Sequence, residues 1–403
     1  LKYKHFIILT VIVFFKFIRK VQKESIIFRY KFLKKNLRYN NKISRMGNDI
    51  NLKGLYTLKN LSLANNQELY LDDNDLSFLP KNWCEFMKNL RYLNLSGNKI
   101  TYLEMINMQN EEIVNLKGLN LNDIPTELIK SKTIQAISLE NNEISVVPKD
   151  IFYKIPNLQC LDLARNKILA DDLEMKHDRL KTLENLILSK NEFTKFPNLT
   201  SLNNLKKLSL AYNIITNVKD ISVAKSLKML SLRGNMIYNI DKKAFFKFTE
   251  LEFLDLSENK LQSLPFENIF RGLESLLELR MSHNRFISIP NICALHSVRH
   301  VDLSYNRIVE INSDSFCFTT FIETLNLSNN HILNINNNFD KLQTLQKLDL
   351  SNNFINKLPT MLIQRAQFLE ILLLRNNSIT SIDELFSLQL RTLREIHLEE
   401  NPF

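Results

Sequence analysis

Glycine is scarce here, six in 403 residues. That scarcity leaves no G-x-G-x-x-G fingerprint and no P-loop, so nucleotide chemistry built on a glycine-rich phosphate cradle is excluded. The four cysteines, Cys84, Cys160, Cys293 and Cys317, and the seven histidines form no cluster with zinc spacing, and neither a metal nor a cofactor is expected. No catalytic constellation stands out, so enzyme activity within these residues is not expected. Long apolar runs are missing too. The stretch Phe6–Phe15, FIILTVIVFF, falls well short of the roughly 20 residues that a membrane-spanning helix needs. The net charge of +10 is concentrated at one end, because 13 Lys and Arg face a single Glu in residues 1–45. The remainder holds 40 basic and 42 acidic residues, which gives no basic footprint for nucleic acid.

What the chain has in quantity is one pattern, rewritten. In Leu251–Leu264, LEFLDLSENKLQSL, the frame L-x-x-L-x-L-x-x-N-x-L places Leu251, Leu254, Leu256, Asn259 and Leu261. Asparagine returns at the ninth place at Asn74, Asn98, Asn142, Asn166, Asn191, Asn213, Asn235, Asn259, Asn284, Asn306, Asn330, Asn353, Asn377 and Asn401. A fifteenth copy without the Asn is read at Leu116-Lys-Gly-Leu119-Asn-Leu121, in a contracted coil ending at Ile124-Pro125. The mean period is about 23 residues, within the 20–29 of known repeat arrays of this type.

The L-x-L core alternates with period two and predicts a short strand in each coil. Parallel stacking of the strands lines the leucines into columns, one core that no coil could bury alone. Each ninth-place Asn carries both donors and acceptors for backbone groups leaving the sheet, so the Asn column is read as structural. On the outer side, Phe152, Phe245, Phe270, Phe316 and Phe339 form one column; Ile155, Phe248, Leu273, Leu295 and Leu342 form a second. Pro148, Pro197, Pro265, Pro290 and Pro359 mark where the chain leaves the core.

Period and pattern together resemble the leucine-rich repeat family. The resemblance implies an α/β solenoid, a horseshoe with a parallel β-sheet on its concave face and mixed short helical and extended segments on its convex face. Three regions are expected: residues 1–45 as a basic and apolar N-terminal segment, 46–65 as a flank with a degenerate opening repeat, and 66–403 as the solenoid. Residues 1–45, which lack Ala, Gly, Pro, Asp and Cys and precede the first Met, Met46, admit three readings: a translated leader, a membrane anchor, or a soluble tail. The chain closes inside a coil at Asn401-Pro402-Phe403, and a solenoid cut before its C-terminal cap is expected.

Members of this family bind partners, so the expected function is a scaffold that holds a protein on the concave face. The alternatives are the ectodomain of a membrane receptor or adhesion protein, and the regulatory arm of an enzyme whose catalytic domain lies past residue 403. No cysteine cluster precedes the first repeat, and Cys160 falls on the open face, which suits a reducing compartment; a cytoplasmic address is therefore expected, with a membrane-associated or extracellular one as the alternative. Cys293 and Cys317 are stacked neighbours one coil apart, read as two small side chains in one column rather than a disulfide. Sequons stand at Asn60, Asn94, Asn198, Asn326 and Asn376, of which Asn60, Asn94 and Asn326 come with the repeat's own L-N-L-S. Between residues 205 and 306 the concave places change from Ser, Asn, Lys and Glu to aromatic, Met and Arg side chains. Tyr212, Met229, Phe253, Arg280, His283, His300 and Tyr305 are the candidate partner-binding residues, with Arg280 also placed to neutralise Asp255 and Asp302 on either side.

Overall fold

The computed structural model describes residues 68–70, 72–73, 90–100, 111–125, 132–148, 151–152, 155–170, 173, 180–219, 221, 225–264, 269–311, 316, 321–335, 342–357, 367–383 and 392–403. The expectations for residues 1–45, the opening repeat, Asn74, Phe339 and the 170–179 outer face lie wholly or mostly outside these.

Fifteen strands of three residues each, from Glu68–Tyr70 to Glu395–His397, stack in coil order into one parallel sheet. Alternation sets which side chains enter. In Phe253–Asp255 the middle residue, Leu254, is buried, and its neighbours in register are Leu230 and Leu279. Leu251, Leu254, Leu256 and Leu261, from the first, fourth, sixth and eleventh places, are all fully buried in one core that runs the length of the array.

The Asn column closes the coils. Asn259 Nδ2 donates to Leu256 O of its own coil and Leu232 O of the coil before, both at 3.0 Å, while its Oδ1 accepts Ile237 N at 3.0 Å. The same three bonds recur at Asn142, Asn166, Asn191, Asn213, Asn235, Asn284, Asn306, Asn330, Asn353, Asn377 and Asn401. Each side chain reaches backward along the array, none forward in these bonds.

One coil is out of the expected register. Val114 pairs with Leu93 and Ile137, so it holds the fourth place and Leu116 the sixth, not the first. Leu119 therefore sits in the Asn place, and Glu111, 3% exposed, stands at the first. The misreading has a simple cause: places one, four and six have the same three-then-two spacing as places six, nine and eleven. Only the Asn breaks that degeneracy, and here it is a Leu.

The outer side is built from short turns and extended pieces. Bonds such as Ala244 N to Asp241 O and Phe248 N to Phe245 O close single turns, and Asn217–Val218 pairs in parallel with Asn239–Ile240. The helical part of the convex expectation is not shown by the described residues, which there are mostly turns and extended pieces. The apolar columns fill the interior behind these turns, with the Phe245 and Phe270 rings stacked at 6.5 Å. Gly272, at φ +100°, passes so close to the previous coil that a Cβ would lie 2.5 Å from Phe246 O. No helix among the described residues is long and apolar enough to cross a membrane.

Candidate protein-binding face

After each strand the chain turns through the eighth place, and the backbone there is left-handed in every coil, φ 50° to 68°, from Asp73 to Glu400. The turn lets the eighth amide reach the next coil: Glu258 N donates to Ser282 O at 2.9 Å. Side chains of this column line one rim of the concave face. Asparagine and glycine take such a backbone at least cost, and they occupy it at Gly97, Gly118, Asn141, Gly234, Asn329, Asn352 and Asn376. The remaining coils carry other side chains there: Asp73, Arg165, Lys190 and Glu400, and, between 212 and 305, Tyr212, Glu258, His283 and Tyr305.

These rim residues hold one another. The Tyr212 ring lies across Gly234, where a Cβ would come within 2.3 Å of it. Beyond the glycine, Arg233 donates to the Tyr212 hydroxyl at 3.1 Å and pairs with Glu258 at 2.5 Å. The Glu258 carboxylate, by accepting from Arg233, raises the guanidinium pKa further. Lys190 Nζ lies over the Tyr212 ring, 5.3 Å from its centroid. His283 and Tyr305, eighth places of adjacent coils, stack at 4.2 Å with 8° between their planes.

Inside the rim, Met229, Phe253 and Arg280 come together on adjacent strands. Arg280 lies over the Phe253 ring at 5.1 Å and pairs with Glu278 at 2.6 Å. The expected Arg280 bridge to Asp255 and Asp302 is not formed. Those carboxylates accept the seventh-place amides of their own coils instead, Ser257 N at 2.9 Å and Ser304 N at 3.0 Å. His300 bonds Thr324 Oγ1 through Nδ1 at 2.9 Å, apart from His283. His296 and His300 are four residues apart, but His296 lies in a turn and His300 opens a strand, so the helical geometry that makes this spacing a metal pair is lacking.

Sequence reasoning missed Leu277. The second-place column beside the strands is a string of ion pairs between neighbouring coils: Glu184 with Lys206, Lys228 with Glu252, Arg299 with Glu323, and Glu370 with Arg394. At Leu277 the string is interrupted by an apolar side chain, 40% exposed. A Leu in a column of Lys, Arg, Glu and Gln was the available signal. Further toward the N-terminal end, burial pushes the Cys160 thiol and the Asp162 carboxyl up in pKa, so Cys160 stays a thiol at neutral pH.

Cys293 corrects another expectation. It is disulfide-bonded, while Cys160 is free. The cytoplasmic address, which leaned on unpaired cysteines, is not supported by that bond.

Comparison with known proteins follows the same lines. Residues 67–123, 225–286 and 344–364 match leucine-rich repeat family descriptions. Keratocan of Bos taurus is 28% identical over 258 residues, 62% of this chain and 66% of that protein. Osteomodulin of Bos taurus is 31% identical over 288 residues, 70% and 56% of the two chains. The chain thus spans less than two thirds of the length of these relatives. A leucine-rich repeat protein of Leptospira interrogans superposes with a TM-score of 0.71 at 29% identity, covering 87% of this chain and 93% of that one. With fifteen coils in one parallel sheet, an Asn ladder and these relatives, the chain is a leucine-rich repeat protein.

Proposed function

We propose that the chain binds a partner protein on its concave face, with Met229, Phe253 and Leu277 at the centre and Tyr212, His283 and Tyr305 along the rim. The observation that carries this reading is the apolar break at Leu277 in a column otherwise neutralised by its own ion pairs, one residue before Glu278, the register partner of Phe253, which on its other side pairs with Met229. Aromatic, Met and Arg side chains are what interface centres favour. The rim residues are also held before binding, so less side-chain entropy is lost on association.

Single alanine substitutions at Phe253, Leu277 and Tyr305, titrated against a partner captured on the wild-type protein, test the reading. Residues at the centre of an interface each cost about 2 kcal/mol, roughly 30-fold in Kd, when truncated. Unchanged affinity in all three, with the fold retained, moves the partner off this face. A second reading, an extracellular ligand-binding domain, is favoured over a cytoplasmic scaffold by the Cys293 disulfide. The two differ in where the partner is met, not in the face that meets it.

A further inference from the structure

The sequons are not equivalent in the fold. Asn94 lies in a strand of the sheet with its side chain 8% exposed. Asn326 is also within a strand, its Oδ1 accepting Ser328 N at 3.0 Å. Asn376 is exposed but sits at a left-handed rim position, and its Nδ2 donates to Asn352 Oδ1 at 2.8 Å. Asn198 differs from all three. It follows Pro197 on the outer segment after the strand Asn185–Ile187, far along the coil from the concave places, with Asn198 and Thr200 both exposed and Leu199 between them fully buried. Thr200 Oγ1 donates to Asn198 Oδ1 at 2.9 Å and Thr200 N reaches the same oxygen at 3.3 Å. Asn198 Nδ2 donates to no described residue and points no hydrogen bond into the fold.

We propose that Asn198 is an N-linked glycan acceptor. In the transfer, Nδ2 forms a bond to the anomeric carbon of an oligosaccharide carried on a polyprenyl diphosphate. The bond from that carbon to the diphosphate oxygen breaks, the diphosphate leaves, and one Nδ2 proton passes to solvent. The buried Leu199 anchors the tripeptide, so the sugar projects from the outer side and the concave face stays open for a partner. A glycan on Asn94 would instead have to emerge through the sheet face, against its burial. The proposal rests on the secretory route that the Cys293 disulfide favours, and a supplied signal sequence separates the acceptor's competence from the chain's own route.

The full chain is secreted from insect cells behind such a signal, and peptides are released with peptide-N-glycosidase in heavy-oxygen water. The expected result is heavy label at Asn198 in most molecules and little at Asn94 and Asn326. Thr200→Ala should remove that label, and Thr200→Ser should retain it. Should the chain stay inside the cells, translation into microsomes reads the same sites without requiring export. An unlabelled Asn198 in either system, or label confined to the other four sequons, overturns the proposal.

Discussion

Asn259 shows why the ninth place is an amide. Its Nδ2 reaches three carbonyls, Leu232 O, Leu256 O and Ser257 O, and its Oδ1 one amide, all buried. Asn259→Ala should cost about 1–3 kcal/mol in unfolding free energy through unsatisfied backbone groups. Asn259→Asp should cost at least as much, because a carboxylate keeps the acceptor and loses both donors; urea midpoints of the two variants compare them. The eighth place poses a conformational question instead. Asn329 has φ 56°, so Asn329→Val should lose about 1–2 kcal/mol while Asn329→Gly stays near wild type. Equal midpoints for Val and Gly would mean that the column is not strained. Asp162 gives a pH dependence with a definite sign. Burial raises its folded carboxyl pKa above the ordinary value near 4. The folded state then binds more protons than the unfolded one, so stability falls as pH rises from the unfolded pKa through the folded pKa. Asp162→Asn keeps the acceptor for Ala164 N, 3.0 Å away, and should raise the urea midpoint at pH 7 but not below about pH 4.

At the scale of the coil, the leucine columns and the close approaches decide stability. Leu254→Ala, at a site with no exposure, should cost roughly 2–5 kcal/mol, transfer loss plus cavity. Much of the coil was legible in the sequence because its places repeat in type: fourteen ninth-place asparagines announced a ladder, and Leu254 and its equivalents announced the strand. The coil at Val114 was misplaced because leucine spacing alone cannot tell the first place from the sixth when Leu119 replaces the Asn. The candidate face was legible only in outline. Tyr212, Met229, Phe253 and Tyr305 stood out by residue type in concave places. Their engagement did not, since the Tyr212 to Glu258 link depends on a ring crossing Gly234, and no local pattern encodes which of two acids Arg280 will meet. Leu277 needed a whole column to be read at once.

For the whole molecule, stability is close to a sum of coils and the interfaces between them. The disulfide at Cys293 adds a covalent tie to that sum, and Cys293→Ser should lower the thermal midpoint under oxidising conditions while leaving it unchanged in strong reductant. A midpoint indifferent to both changes would show that the bond does not form in solution. The backward reach of the Asn ladder also gives the array a direction in time. Ile237 N finds its acceptor in Asn259 of the next coil, and Leu232 O, already held by Asn235 of its own coil, gains its second donor there. On a ribosome, where the N-terminal coils emerge first, every turn waits one repeat before it is sealed. Growth is therefore a ratchet whose newest tooth is always loose.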